Sequence, residues 1–238
     1  MRLDKFLCDN TDLTRTYARR ELQQGQVTVN GAVVKKGALQ LAADDEVVWG
    51  GEVITPQGLR YLMLYKPEGY ICSNVDELYP SVMNLIQLPA KSQLHVAGRL
   101  DADTTGLVLI TDDGQWSHRI TSPHHACDKV YRIDLAEPLI SEAEQYCRDG
   151  LMLHGETTPT RPAHLERISE TQVLLTIQEG RHHQVKRMMA ALGNRVVALH
   201  REQVGAVKLD PDLKKAHWRM LTVKEIDALA PSTVAGTP

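Results

Sequence analysis

The run Gly98-Arg99-Leu100-Asp101-Ala102-Asp103-Thr104-Thr105-Gly106-Leu107 sets one cation, two carboxylates and two hydroxyls between the apolar runs 94–97 and 107–110. That pattern predicts a strand, a polar loop and a second strand, and a loop held by rigid strands is a good place for chemistry. Asp101 and Asp103 are two residues apart, so on extended backbone their side chains would share a face roughly 6 to 7 Å apart. Glycosidases use two carboxylates about 5 to 9 Å apart, but theirs converge across a sugar ring, which neighbours on one loop rarely do. The ordinary role of such a pair is to cap a turn through Asx hydrogen bonds.

A second motif bears on that choice. Glu179-Gly180-Arg181-His182-His183-Gln184-Val185-Lys186-Arg187-Met188 runs from a strand end through a glycine into a helix dense in cations. A helix dipole prefers anions at its start, so these cations call for an external anion or a buried carboxylate. A basic group beside a carboxylate also favours its ionised form.

The elements that must position these groups read as two domains. Leu3, Phe6 and Leu7 repeat at i, i+3, i+4 as in an amphipathic helix, and Thr14 is placed to cap a second helix ending before Gly25. Arg15 and Arg19 fall on one face of that helix. Val27 and Val29, the dipeptide Asn30-Gly31 and the run 32–36 predict a hairpin. Breakers at Gly50-Gly51 and at Thr55-Pro56-Gln57-Gly58 place a boundary after residue 56.

From 57 to 230 the sequence predicts strands at 61–65, 94–97, 107–110, 130–135, 163–168, 172–177, 195–199 and 204–209. Helices are expected at 116–120, 141–147 and about 183–192, and Thr222-x-x-Glu225 forms a capping box for a last one. Turns too short for parallel crossovers join several strands, so the fold class is α+β around a mainly antiparallel mixed sheet. The small, polar residues 231–238 read as a disordered tail.

At 238 residues, 42% hydrophobic and 24% charged, the chain suits a soluble globular protein, and a net charge of −3 argues against nonspecific coating of nucleic acid. Locally the balance differs, because residues 181–219 hold nine Lys and Arg against three Asp and Glu. Such a segment is suited to facing phosphates. Cys8, Cys72, Cys127 and Cys147 are widely spaced and read as free thiols. Neither His124-His125-x-Cys127 nor His182-His183 has the spacing of a zinc site, and no P-loop or dinucleotide pattern occurs, so no metal or cofactor is expected. The charged start Met1–Lys5 lacks the apolar core of a signal peptide and no run of 18 apolar residues occurs, so a cytoplasmic protein without a membrane partner is expected. With no sign of a coiled coil, a monomer is expected.

RLDKFL at the start, Thr14-Arg15 and GQVTVNG resemble the S4 RNA-binding domain. GRLDADTTGL resembles the signature loop of the pseudouridine synthases that modify ribosomal RNA, and EGRHHQVKRMM their second signature. Residues 61–69 look like the strand and turn that open their catalytic domain, with Tyr65 where asparagine is usual. Asp128-Lys129-Val130-Tyr131 resembles the strand bearing their active-site tyrosine, with Asp128 where glutamate is common. Residues 114–123 are most similar to members acting on the small ribosomal subunit.

The resemblance implies isomerisation of a uridine in 16S ribosomal RNA, free or in a small-subunit assembly intermediate. It implies Asp101 as the catalytic carboxylate, Lys186 as its partner and Tyr131 as the platform for the detached uracil. Arg99 would help displace the base. Arg15, Arg19, Arg181, His183, Gln184 and Arg187 are expected to contact RNA, while Thr104 and Thr105 set the loop through local hydrogen bonds. The alternatives are a synthase acting on large-subunit RNA and a non-catalytic RNA-binding assembly factor. Intact Asp101 and Lys186 favour the enzyme.

Overall fold

The apolar spacing at the N-terminus forms α1 (Leu3–Asn10), and Thr14 caps α2 (Arg15–Gln23) by accepting a hydrogen bond from the Tyr17 amide. The Asn30-Gly31 turn, with φ of +51° and +78°, joins β1 (Val27–Val29) to β2 (Ala32–Val33). Both residues take the left-handed conformation that a tight hairpin needs. β3 (Val47–Trp49) and β4 (Glu52–Val53) complete a small sheet ordered β2-β1-β3-β4, and Leu3, Phe6, Leu7, Ala18, Leu22, Val27 and Val47 form its core with the helices.

In this computed structural model, which describes residues 1–229, the first of two units comprises Met1–Leu59 together with Ile86–Leu94. The expected boundary at 56 assigned residues 86–94 to the larger domain. Two hydrogen bonds show why the excursion groups with the first unit instead: the Ala90 amide donates to the Asp12 carboxylate at 2.8 Å, and the Gln93 side chain to the Cys8 carbonyl at 3.3 Å. The expected tail at 231–238 lies outside the described residues.

The second unit is built on a mixed sheet. Its strands are β5 (Tyr61–Lys66), β6 (His95–Ala97), β7 (Thr105–Thr111), β8 (Lys129–Leu135), β9 (His164–Arg167), β10 (Gln172–Ile177), β11 (Val196–Val204), β12 (Val207–Lys208) and β13 (Trp218–Met220). The order runs β13-β5-β7-β11-β8-β10-β9, with β6 beside β7 and β12 beside β11. Among the strands of the described residues, β7 and β11 pair in parallel and the other pairs of this sheet are antiparallel. The helices are α3 (Gly114–Thr121), α4 (Ala143–Asp149), α5 (Gln184–Ala191) and α6 (Val223–Leu229). α5 buries Val185, Met188 and Met189, the apolar face expected of it.

β11 departs from expectation. The sequence predicts two strands separated by the polar residues 200–203, whereas one strand runs through them and turns only at Gly205. Register shifts against β8 between Val196 and Ala198 and between Arg201 and Gln203 let it continue. Bulges of this kind re-aim side chains without ending a strand.

The capping box at α6 is reciprocal: Glu225 accepts from the Thr222 amide at 2.8 Å, and Thr222 Oγ1 accepts from the Glu225 amide at 3.3 Å. Hydrogen bonds from Arg219 pull the Glu225 carboxyl down to about 2, and Arg219 is raised in return. A folded-state pKa below the unfolded value stabilises at neutral pH, and this is lost as pH falls through the folded value. Glu225→Gln is therefore expected to cost about 1 to 3 kcal/mol at pH 7. Urea midpoints of variant and native protein should converge as the pH is taken below about 2.

Candidate active site

The loop from Gly98 to Thr104 leaves β6 and enters β7, two strands that pair directly with each other. Its backbone is tied down along most of its length. The Thr104 amide donates to the Asp101 carbonyl at 3.1 Å, and the Gly69 amide to the Ala102 carbonyl at 2.9 Å. Lys66, at the end of β5 and fully buried, donates from Nζ to the carbonyls of Thr104 at 2.7 Å, Pro67 at 3.1 Å and Ala102 at 3.2 Å. Burial lowers the Lys66 pKa, against the charges of Cys72, Asp103 and Asp101 that raise it. Sequence reasoning assigned Lys66 no role, although a lysine closing an apolar strand was the available signal.

Gly106 closes the loop where β7 meets β11. Its φ is +113°, and a Cβ there would lie 2.3 Å from the Arg201 carbonyl oxygen and 2.6 Å from the Arg201 nitrogen. Backbone atoms of a central strand cannot move aside, and a left-handed φ adds strain. Gly106→Ala is therefore expected to cost roughly 3 kcal/mol or more, read from a urea denaturation midpoint.

Residues 83 and 85 positions apart meet at one point. Lys186 Nζ, on the first turn of α5, lies 2.9 Å from Asp101 Oδ2 and 2.7 Å from Asp103 Oδ1. The cations at this helix start thus face carboxylates of the loop. Burial opposes the charge of Lys186, but its bonds to Asp103 and Asp101 outweigh burial and raise its pKa. Burial likewise pushes Asp103 up, and the hydrogen bond and charge of Lys186 more than offset it, leaving the carboxyl below its ordinary value. The two aspartates differ in access, with side chains 29% exposed at Asp101 and 72% at Asp103.

His183 Nε2 is 3.5 Å from Asp101 Oδ1, and the imidazole stacks on His182 at 3.7 Å between ring centroids. His183 precedes α5 with a φ of +50°, in the left-handed region that histidine, asparagine and aspartate enter more readily than other non-glycine residues. Tyr131, 7% exposed on β8, lines the same cleft as Asp101, Arg99 and Lys186. The Arg99 side chain is exposed and forms no ion pair among the described residues.

Three residues expected to contact RNA have their polar groups engaged within the protein. Gln184 is buried, donates to Glu179 at 2.7 Å and accepts from the Arg181 amide at 2.8 Å. The Arg181 guanidinium reaches Glu179, Glu156 and the carbonyls of Thr158 and Pro159. Arg187 pairs with Glu156 at 2.9 Å and donates to the carbonyls of His154 and His182. These contacts brace the segment 154–160 against the start of α5. Arg15 and Arg19 lie exposed on α2 in the first unit, with no ion pair among the described residues.

Neither threonine makes the local bond expected of it: Thr105 Oγ1 meets His200 Nδ1, 95 positions away, at 2.7 Å, and the buried Thr104 hydroxyl has no hydrogen-bond partner among the described residues. Among the described residues no group of three His, Cys, Asp or Glu is arranged to hold a metal, and no helix is long and apolar enough to cross a membrane.

A family model described as RNA pseudouridylate synthase matches residues 60–191, and a model of the S4 domain matches residues 1–47. The chain is similar to a ribosomal small subunit pseudouridine synthase A of Pasteurella multocida strain Pm70, 53% identical over 227 residues that cover 95% of this chain and 98% of that one. A protein of the same description from Escherichia coli K12 is 50% identical over 227 residues, with the same shares covered. A solved crystal structure of a pseudouridylate synthase aligns with a TM-score of 0.70 at 49% identity, covering 96% of this chain and 99% of that chain.

Proposed function

Since this chain belongs to the RNA pseudouridylate synthases that carry an S4 domain, we propose that it isomerises a uridine of small-subunit (16S) ribosomal RNA, with Asp101 as the reacting carboxylate. The observation that supports this reading most is the Asp101–Lys186 contact of 2.9 Å in a cleft that Tyr131 also lines. Lys186 engages one carboxylate oxygen, and the exposed part of the Asp101 side chain is left to meet the substrate.

The reaction breaks the N1–C1′ bond of the nucleoside, turns the uracil and forms a C5–C1′ bond. C5 loses a proton and N1 gains one, so nothing is oxidised and no outside group is added. An ionised carboxylate beside the ribose has two ways to start it, attack at C1′ or removal of the C2′ proton. Tyr131 offers a flat ring for the detached uracil, and its hydroxyl is a group that could help the C5 proton leave.

Reaching C1′ requires the nucleotide to leave its stack, at a cost of a few kcal/mol. Arg99, exposed and without an ion pair among the described residues, would fill the space left by the base. Arg15 and Arg19 on the S4 unit supply cations for phosphates, and His183 presents its ring to RNA beside Asp101. The partner is small-subunit RNA, free or in an assembly intermediate.

Small- and large-subunit rRNA tritiated at uridine C5 would test the substrate. Tritium release from small-subunit RNA alone is expected. Release confined to large-subunit RNA would overturn the assignment.

A further inference from the structure

Arg201 is 1% exposed, and its guanidinium pairs with no carboxylate among the described residues. A buried charge is costly unless its hydrogen bonds are met. Here they are met by backbone carbonyls: Nε donates to Leu107 at 2.8 Å, Nη2 to Gly98 at 3.0 Å and Nη1 to Arg99 at a longer 3.5 Å. Gly98 and Arg99 open the loop that carries Asp101, and Leu107 follows its close. One planar cation therefore spans both limbs of that loop.

Its own placement is equally fixed. The Arg201 backbone pairs with Gly106 on one side and with Tyr131 on the other, and the bulge between Arg201 and Gln203 follows at once. The guanidinium carbon lies 6.0 Å from the centre of the Tyr131 ring. The two groups that meet the reacting nucleoside, Asp101 and Tyr131, are thus referred to the same side chain.

We infer that Arg201 is a positioning residue, a clamp that holds the two limbs of the Asp101 loop together and sets the distance between Asp101 and Tyr131. A lysine in its place keeps the charge but gathers its donors on one nitrogen, without the planar fork that reaches carbonyls on both limbs. The inference rests on Asp101 being the reacting carboxylate. Displacement of a reacting group by about 1 Å costs on the order of 100-fold in rate.

The test measures single-turnover tritium release from small-subunit rRNA, RNA affinity and thermal midpoint for Arg201→Lys. Leu165→Ala, buried on β9, serves as a comparator that destabilises the same unit outside the cleft. Arg201→Lys is expected to lose about 100-fold in rate with RNA affinity within about two-fold of native, while folded Leu165→Ala keeps its rate within about three-fold. Arg201→Gln, which keeps an N–H donor without the charge, carries the same expectation if the lysine variant does not fold. The inference is overturned if the folded Arg201 variant turns over within about three-fold of native, or if its loss matches that of Leu165→Ala at an equal fall in midpoint. Asp101→Asn is run alongside: native turnover by that variant would refute the Asp101 reading, whereas its silence beside a fully active Arg201 variant would refute the clamp alone.

Discussion

Asp101→Asn is expected to lower the single-turnover rate by roughly four orders of magnitude or more while RNA affinity stays within a few-fold of native. The substitution keeps the shape of the side chain, and an amide can still accept from Lys186. It removes the negative charge, and with it the nucleophilicity needed for attack on C1′ and the basicity needed to remove a C2′ proton. Affinity should be spared because phosphate contacts dominate RNA binding, and Asp101 supplies none. Filter binding and digestion of the RNA to nucleosides, with pseudouridine counted after one turnover, read the two quantities separately. Asp103→Asn offers a contrast, since its side chain is 72% exposed and its one ion pair among the described residues is with Lys186. Its loss should be far smaller.

Lys186→Met is expected to cost about 100- to 1,000-fold in rate, the scale seen when one preorganised electrostatic group is removed from an active site. Both loop carboxylates touch its ammonium, at 2.9 and 2.7 Å, so the variant leaves two like charges close together with no cation between them. A lost phosphate contact would instead weaken RNA binding and leave the rate at saturating RNA unchanged. Measuring the rate at saturating RNA beside the affinity distinguishes the two.

Local patterns made much of the fold legible. The i, i+3, i+4 spacing of Leu3, Phe6 and Leu7 and the Asn30-Gly31 turn depend on neighbours in sequence, and they appear as α1 and the first hairpin. The alternation that buries Tyr131, Ile133 and Leu135 is local in the same sense and forms β8. What failed was long-range. Nothing within residues 86–94 announces bonds to Asp12 and Cys8, and no periodicity marks the polar residues 200–203 as the middle of a strand bounded by bulges.

The site divides along the same line. Spacing alone left the role of Asp101 open between a turn cap and an acid, and its pairing with Lys186 came from the resemblance, because 85 positions separate them. Arg181, Gln184 and Arg187 read as an RNA-binding row since their partners, Glu156, Glu179 and the carbonyls of 154–159, are invisible from the motif itself. Lys66 and Arg201 went unassigned for a related reason. Each works through backbone carbonyls, which every residue carries and no sequence pattern reports.

The most direct test of one carboxylate held ready by one lysine is a double-mutant cycle of Asp101→Asn, Lys186→Met and the pair together, read by single-turnover tritium release at saturating small-subunit rRNA. If the two residues act as a unit, the double variant turns over no more slowly than Asp101→Asn alone. If instead the two losses multiply, Lys186 works independently of Asp101, and the pairing is not what prepares the carboxylate.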